Sequence, residues 1–210
     1  MNRFRLLLAS LLSLLLCACG DDETPWPAYR QELAELLTGA DGKVAFMVRD
    51  TGDTLRVSPS VDWQVPDTVV RAQVLYCETD GRKAVLQALS PVVSPFPEQI
   101  SEAQMRTELV GVEALSRGGR YLNFYIYVKT SGGAHRFAFR DCGVERRADG
   151  SRLLRLQLYH DSNADGQNYR RQVCLSCPLY GYADRLVVGR DSVEVLVSTF
   201  DGSLKRRFPY

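Results

Sequence analysis

Residues 121–129 read YLNFYIYVK, and their side chains alternate between an apolar and a polar face. The apolar face consists of Leu122, Phe124, Ile126 and Val128, and the opposite face carries Tyr121, Asn123, Tyr125 and Tyr127. A period of two is typical of a β-strand, because successive side chains point to opposite sides of the sheet. The segment therefore predicts a strand of an antiparallel sheet that covers a core with one face.

The same alternation recurs on the C-terminal side of this strand. Apolar residues occupy every second position within residues 153–160 and 191–200. Further strand patterns cover residues 109–115, 134–140, 169–177 and 203–208. About seven half-buried antiparallel strands are typical of a two-sheet sandwich, so the sequence predicts an immunoglobulin-like β-sandwich at residues 105–210.

Short strands separated by turn signals also fill the preceding part of the chain. They cover residues 43–49, 54–58, 68–76 and 83–89. The last two flank Asp80-Gly81, a dipeptide that favours a hairpin turn. Strands of this length at such regular spacing predict an all-β domain.

Residues 29–38 are ambiguous on pattern alone. Tyr29, Leu33 and Leu36 follow the i, i+4, i+7 spacing of an amphipathic helix, which favours a helix over a strand. Farther along, three prolines at 91, 95 and 97 predict an interdomain linker at residues 93–104. The first domain then spans residues 29–92.

Composition excludes several classes of protein. The chain has 210 residues, of which 45% are hydrophobic and 24% charged, close to the average of globular proteins. Its 26 Lys and Arg nearly balance its 25 Asp and Glu, giving a net charge of +1. We therefore expect no nucleic-acid partner, since such proteins carry a basic excess.

The N-terminus has the pattern of a bacterial lipoprotein signal. Arg3 and Arg5 precede an apolar run at residues 6–16, which is too short to span a membrane, since a spanning helix needs about 20 residues. The sequence Leu16-Cys17-Ala18-Cys19-Gly20 resembles a lipobox. We expect a signal peptide at 1–18, a lipid on Cys19 that attaches the chain to the membrane, and a tether at 19–28.

Three acids stand directly behind the anchor: Asp21, Asp22 and Glu23. They suit a solvated tether, and they also resemble the signal that exports lipoproteins to the cell surface in some Gram-negative bacteria. The interpretation that follows is an outer-membrane lipoprotein facing outwards.

Four cysteines remain after the predicted cleavage: Cys77, Cys142, Cys174 and Cys177. An exported chain meets an oxidising compartment, so disulfides are permitted and three pairings are open. The Cys174-Leu-Ser-Cys177 spacing also occurs in zinc and redox sites, but no second ligand pair exists for zinc. In a strand, residues three apart point to opposite faces, which favours structural cysteines.

Several motifs are similar to those of the NigD-like lipoproteins. They include TGADGKV at 38–44, DTGDTLRV at 50–57, GRYLNF at 119–124, GGAHRF at 132–137, LYHD at 158–161 and LSCPLY at 175–180. The resemblance implies an N-terminal OB-type barrel whose first strand is 29–38, and a C-terminal β-sandwich. It implies no assigned activity, although the family name is linked to bacteriocin loci and hence to immunity.

One segment matches the first half of a calcium-binding loop. Asp161, Asn163 and Asp165 stand at alternate positions before Gly166, the pattern that directs oxygens towards one cation. The twelfth position carries Gln172 in place of a bidentate carboxylate. A polar hairpin turn is therefore the favoured interpretation, and we expect neither a metal nor a cofactor.

No catalytic motif stands out. The chain has two histidines and no G-x-S-x-G sequence, so we expect no catalytic residue. His135 alternates with Phe137 and is predicted to be packed, while His160 ends a strand before an acidic turn. Exposed tyrosines at 121, 125 and 127 suit either an aromatic binding strip or ordinary strand surface. The predicted function is a non-enzymatic lipid-anchored binding module with an unknown extracellular partner; the alternatives are an immunity factor and a hydrolase without a recognisable motif.

Overall fold

The structure, a computed structural model, describes residues 28–210 and is all-β. Its first five strands are β1 (Tyr29–Thr38), β2 (Lys43–Arg49), β3 (Thr54–Asp62), β4 (Val69–Thr79) and β5 (Lys83–Pro91). Seven more follow: β6 (Gly111–Gly118), β7 (Tyr121–Thr130), β8 (Arg136–Arg146), β9 (Arg152–Asp161), β10 (Tyr169–Pro178), β11 (Ser192–Thr199) and β12 (Gly202–Pro209). The helical structure of this range consists of two 3₁₀ turns, Glu102–Gln104 and Tyr180–Tyr182.

Strands β1 to β5 form a closed barrel in the order β1-β2-β3-β5-β4. Neighbouring strands are antiparallel except β3 and β5, which are parallel. The predicted hairpin at Asp80-Gly81 joins β4 to β5, and Gly81 adopts a positive φ of 77° there. The barrel encloses its own core of buried side chains: Ala34, Leu36, Val44, Met47, Leu55, Val57, Ala72, Val74, Tyr76 and Ala84.

The ambiguous segment 29–38 is a strand, as the family resemblance implied and against its helical spacing. β1 pairs with β2 along one edge and with β4 along the other, so it closes the barrel. Both of its faces are buried, because Ala34 and Leu36 point into the barrel core while Glu35 faces the second half of the molecule. Pairing along two edges outweighs the local helix propensity of these residues.

The remaining strands form a three-stranded sheet, β10-β7-β6, and a four-stranded sheet, β12-β11-β9-β8. Both sheets contribute to one hydrophobic core. The alternation predicted for residues 121–129 is confirmed, because its four apolar side chains, Leu122, Phe124, Ile126 and Val128, are fully buried. The pairing of β9 with β11 is parallel, which differs from the antiparallel expectation. After β9 the chain crosses to the other sheet to form β10, and it then returns to form β11, which runs in the same direction as β9.

Residues between the barrel and the sheets lie along the edges of both sheets. Val93 forms a parallel bridge with Leu175 of β10, and Glu98 forms one with Arg140 of β8. The backbone N–H of Asp141 donates to the carbonyl oxygen of Glu98 at 2.8 Å, and that of Glu98 donates to Phe139 at 2.9 Å. Pro95 and Pro97, two of the three prolines predicted to mark a linker, therefore belong to a segment that covers two sheet edges, while Pro91 ends β5.

Several predictions concern residues that the structure does not describe. The signal peptide at 1–18, the lipid on Cys19 and the acids Asp21, Asp22 and Glu23 all lie outside residues 28–210. Within that range, no helix combines the length and the hydropathy needed to cross a bilayer.

Candidate functional site

A buried arginine joins the barrel to the three-stranded sheet. Arg71 of β4 donates from Nη1 and Nη2 to the two carboxylate oxygens of Asp50 at 2.7 and 2.8 Å. Its Nε donates to the hydroxyl of Ser176 on β10 at 3.2 Å, and Nη2 also donates to Oδ1 of Asn123 on β7 at 3.2 Å. With a side chain 2% exposed, this guanidinium has its charge neutralised within the protein and not by solvent.

The partners of Arg71 are also bonded to one another. The Asn123 amide donates to Asp50 at 3.2 Å and accepts from the Ser176 hydroxyl at 2.7 Å. Below the guanidinium lies the Tyr121 ring, whose centroid is 4.1 Å from the central carbon of Arg71. The junction is thus a closed polar network, in which each group fixes the position of its neighbours.

A second ion pair reinforces the same contact. Glu35 of β1 accepts from Nε and Nη2 of Arg120 at 2.8 and 2.9 Å and from the Tyr121 hydroxyl at 2.6 Å. Burial, followed by the hydrogen bond to Glu35, raises the pKa of Tyr121, so this phenol stays protonated and continues to donate. The two halves of the molecule are therefore held together by the bidentate pair of Arg120 and Glu35 and by the hydrogen bonds of Arg71 to the sheet, whereas the pair of Arg71 and Asp50 lies within the barrel half.

The turn between β6 and β7 fits closely against Asp50. A Cβ on Gly118 would lie 2.2 Å from Oδ2 of Asp50, and one on Gly119 would lie 3.1 Å from the Cα of Asp50. Gly119 also has a positive φ of 52°. Small residues are needed at this turn because the barrel backbone approaches it directly.

A cleft of about 390 Å³ opens beside the junction. Gln73 of β4 and Ser90 of β5 lie on the barrel side, while Tyr125 of β7 and Gln172 of β10 lie on the sheet side. The Gln172 amide donates to both carboxylate oxygens of Glu113 at 3.2 Å. A concave site at a domain junction, with an aromatic ring and several amide and carboxylate groups, has the composition of a ligand-binding site.

The barrel covers only part of the sheet's outer face, the face turned away from the core. The uncovered part, which we call the open face, is formed by Tyr127, Lys129, Arg170 and Gln172. Arg170 lies with its central carbon 4.7 Å from the Tyr127 ring centroid. Tyr127 stacks on Phe200 at 5.8 Å, and the Lys129 ammonium lies 5.0 Å from the Phe200 centroid. Two stacked aromatic rings therefore lie between two cations on this surface.

The structure divides the predicted tyrosine strip into three environments. Tyr121 is buried in the junction, Tyr125 lines the cleft and Tyr127 lies on the open face. The expectation that all three are exposed is wrong for Tyr121, because the barrel packs against its end of β7. The other two remain accessible to a ligand.

Both histidines belong to a buried cluster at the far end of the sheets. His135 Nδ1 lies 2.8 Å from Nε2 of His160, whose Nδ1 lies 3.0 Å from the carbonyl oxygen of Glu108. His135 Nε2 lies 3.2 Å from Asp165. A carbonyl oxygen can only accept, so Nδ1 of His160 carries a proton. Burial lowers the pKa of His160, which leaves its Nε2 as the acceptor.

This cluster borders a cavity of about 510 Å³ lined in part by His160, Lys129 and Phe200. All four ring nitrogens of the two histidines face a protein partner within 3.2 Å. Neither ring presents a free nitrogen for proton transfer to a bound molecule. The arrangement positions a loop, and the packing predicted for His135 is found, since its side chain is fully buried.

Asp165 fixes the loop that follows β7. It accepts from the Thr130 hydroxyl, from the backbone N–H groups of Ser131 and Gly133 at 3.0 Å each, and from His135. The Thr130 hydrogen bond is the main reason that the pKa of Asp165 lies well below its usual range. This carboxylate is therefore ionised and fully engaged within the protein.

The side chains of the calcium-type pattern are bonded to separate parts of the protein. Asp161 accepts the backbone N–H of Asn163 at 2.9 Å, and the Asn163 amide donates to the carbonyl of Ala134 at 2.7 Å. Asp165 points instead to the loop after β7. Across residues 28–210, no three His, Cys, Asp or Glu side chains come together as metal ligands.

The four cysteines of the described range are all free thiols. Cys174 is half-buried on the cleft side, while Cys177 is fully buried in the core on the opposite face of β10. Burial raises the pKa of Cys174 to about 11, and it also raises the pKa of Cys177 well above its usual range. The prediction that these two sulfurs diverge agrees with this arrangement, and neither is an activated thiolate.

Sequence reasoning missed the junction network entirely. Arg71 is 21 positions from Asp50, 52 from Asn123 and 105 from Ser176. A single arginine on the polar face of a strand is ordinary in sequence, so no local signal distinguishes it. Its role depends on how the barrel is placed on the sheet.

Comparison with known proteins rests on structure. No protein-family model matches the sequence, and no curated protein matches it significantly. A NigD-like immunity protein from Bacteroides caccae superposes with a TM-score of 0.67 at 24% identity, covering 89% of this chain and 98% of that one. A protein of unknown function from Bacteroides vulgatus gives 0.70 at 16% identity, covering 87% and 91%.

A third structure, described as a lipoprotein of Bacteroides fragilis, gives a TM-score of 0.59 at 10% identity, covering 87% of this chain and 97% of that one. Coverage of nearly the whole of each chain shows that the barrel and both sheets recur together. Identities this low establish a shared fold and leave activity open. The resemblance to the NigD-like lipoproteins is therefore confirmed at the level of the fold.

Proposed function

We propose that the protein is a lipid-anchored outer-membrane lipoprotein that binds an envelope or extracellular partner and catalyses no reaction. The observation that carries the proposal is the buried Arg71, bonded to Asp50 and to Asn123 and Ser176 of the sheet. Such a network gives the two halves one relative orientation, since displacing either half would break the hydrogen bonds of Arg71 to the sheet and separate Glu35 from Arg120. The cleft beside Arg71 is then a preformed binding site.

The finer fold assignment belongs to the same proposal. The strand order β1-β2-β3-β5-β4, with β3 parallel to β5, supports an OB-type barrel. The two sheets with a common core support a sandwich of immunoglobulin-like size, in which β9 and β11 depart from an all-antiparallel pairing. Both folds serve as rigid scaffolds for binding surfaces in many proteins.

The absence of catalysis is supported by the histidine cluster. His135 and His160 use every ring nitrogen on internal partners. The thiol of Cys174, which lines the cleft, has its pKa raised to about 11 by burial and is protonated at neutral pH. These groups hold structure and offer no activated nucleophile or base.

The proposed anchor is Cys19. Two or three acyl chains on one cysteine are sufficient for stable membrane attachment, whereas a single chain holds a protein only marginally. Cells supplied with labelled palmitate should incorporate the label into the wild-type chain and into Cys17→Ser, but not into Cys19→Ser. Label retained by Cys19→Ser contradicts the anchor. Protease applied to intact cells should digest the wild-type protein if it faces outwards, while an uncleaved protein contradicts that orientation.

The cleft can be tested in living cells with a photo-crosslinking amino acid. Placed at Gln172, in the cleft, it should capture a discrete partner on illumination. Placed at Arg82, whose side chain is 67% exposed in the β4–β5 turn, it should not. The same adducts at both positions, or none at Gln172, would count against a binding role for the cleft.

A second candidate function is immunity to a toxin, because one structural neighbour is a NigD-like immunity protein. In that role the partner would be a bacteriocin. Deletion of the gene should then make cells sensitive to the bacteriocin of a competing strain, and the wild-type chain should restore resistance. Unchanged resistance after deletion leaves ligand binding as the function.

A further inference from the structure

The open face places two positive charges directly opposite each other. Lys129 of β7 and Arg170 of β10 are paired residues in the antiparallel ladder, so their side chains leave the same face of the sheet. Their Cβ atoms are then about 5 Å apart, and like charges in this position destabilise a sheet. No carboxylate of residues 28–210 lies within 4 Å of either group, although other exposed arginines, such as Arg155, have one.

The aromatic rings hold these cations in place without neutralising them. Arg170 lies over Tyr127 and Lys129 over Phe200. Tyr127 in turn occupies the space above Gly111, where a Cβ would lie 1.9 Å from the ring. The two charges are therefore ordered and available, which is the electrostatic requirement for binding an anionic group.

The same strand has an unpaired edge. Further along β10, the backbone N–H of Ser176 points away from β7 and donates to the carbonyl of Val93 at 3.0 Å. The Ser94 hydroxyl donates to the carbonyl of Ser176 at 2.8 Å. Because backbone groups alternate along a strand, those of Arg170 and Gln172 point to the same edge. In the described part of the chain, β10 is the last strand on that side of its sheet.

We propose that the edge of β10 at residues 169–173 binds an extended acidic segment of a partner protein by strand addition. The backbone of that segment pairs with Arg170 and Gln172, and a glutamate or aspartate opposite Arg170 meets its guanidinium. Lys129, one strand further away, adds to the positive potential. This inference rests on the proposed binding function and specifies the chemistry of the partner.

The chain itself uses the main-chain groups of this edge at one point. Val93 forms a single bridge with Leu175 and accepts the backbone N–H of Ser176, and the cleft continues from Val93 towards Gln172. Strand addition derives affinity from main-chain hydrogen bonds and specificity from alternate side chains. Positive charges on an edge strand also discourage pairing with a second copy of the same edge, so the surface favours an oppositely charged segment.

The test uses a capped eight-residue peptide of alternating threonine and glutamate, added to the ¹⁵N-labelled chain secreted with Cys19→Ser. Binding should shift the amide resonances of Arg170, Gln172 and their neighbours. An otherwise identical peptide with glutamine for glutamate should bind at least tenfold more weakly. A peptide N-methylated at alternate amides keeps its charge but loses the strand hydrogen bonds, and it should bind at least tenfold more weakly as well.

Variants locate the charges responsible. Lys129→Ala combined with Arg170→Ala should weaken binding of the acidic peptide at least tenfold. The matched control is Arg146→Ala, an exposed arginine of the opposite sheet, which should leave binding unchanged. Equal binding of the N-methylated peptide overturns strand addition, and equal binding by the double variant overturns the role of the two cations.

This experiment is separable from the test of the proposed function. A crosslink at Gln172 together with no binding of the acidic peptide retains the cleft as a binding site and overturns the acidic class of partner. If the peptide binds but shifts only the amide resonances of residues far from β10, the edge of β10 is not the binding site. Shifts at β10 that disappear in the double variant support it.

Discussion

Glu35 and Arg71 lie directly opposite each other on β1 and β4, yet each forms its ion pair with a different group. Glu35 binds Arg120 in the turn between β6 and β7, while Arg71 binds Asp50 and reaches Asn123 on the sheet. Two adjacent barrel positions of opposite charge thus contact separate points of the second half of the molecule. Contacts at two points prevent the barrel from rotating on the sheets as well as from separating from them. A single contact would prevent separation only.

Removal of the Arg71 guanidinium should destabilise the protein strongly. Arg71→Met leaves the Asp50 carboxylate without its bidentate partner, and the expected loss in the free energy of unfolding is about 3–5 kcal/mol. The exposed pair of Arg30 and Glu78, 3.4 Å apart, provides the control. Arg30→Met should cost less than about 1 kcal/mol in the same denaturant titration. Similar losses for the two variants would show that the buried Arg71 network contributes no more stability than an exposed ion pair.

Gly111 should tolerate no larger residue. In Gly111→Ala the new methyl would collide with the Tyr127 ring, at 1.9 Å from its Cζ, and the ring would have to leave its stack on Phe200. We expect a loss of about 1–3 kcal/mol and a changed near-UV circular dichroism signal of tyrosine. Adding Tyr127→Ala should recover part of that stability. Gly181→Ala is the control, since the nearest atom there is 3.9 Å away.

Acidification should destabilise the protein through His160. Burial lowers the pKa of this histidine below its ordinary 6.5, so below that pH the unfolded chain takes up a proton that the folded chain does not. The free energy of unfolding should therefore fall as the pH drops from 6.5 towards the folded pKa, by at most about 1.4 kcal/mol per pH unit.

His160→Gln should flatten that dependence, measured by denaturant unfolding between pH 6.5 and 5. Asp165, the carboxylate that contacts the histidine pair, contributes little in this window, because the Thr130 hydrogen bond lowers its pKa and its effect on stability lies at lower pH. An unchanged slope in the variant would exclude His160 as the group responsible.

Cys142 and Cys177 should differ in the rate at which their thiols are alkylated. Cys142 is exposed and should be alkylated in the native protein, whereas Cys177 is fully buried with a raised pKa and should react only on unfolding. Mass spectrometry after brief iodoacetamide treatment, with and without denaturant, measures both. Rapid native labelling of Cys177 would contradict its position in the core.

The sequence was sufficient to predict most of the strands, but it was not sufficient to predict the buried network at the junction. The alternation of apolar and polar residues predicted the bounds of β7 to within one residue, because the side chains of a half-buried strand have a period of two. The segment 29–38 required the family resemblance, since its leucines have helical spacing and only barrel closure makes it a strand. The Arg71 network could not be predicted, because its partners meet only once the barrel lies on the sheet.

The segment after β5 forms bridges with strands of both sheets, and this determines where the chain can be cut to produce the C-terminal half alone. Val93 covers the edge of β10 at Leu175 and Ser176, and Glu98 covers the edge of β8, so a recombinant C-terminal half that begins at residue 105 would lose both covers. Bare edges favour intermolecular pairing, and such a fragment should self-associate. A fragment that begins at Val92 keeps its cover and is the better starting material for studying that half alone.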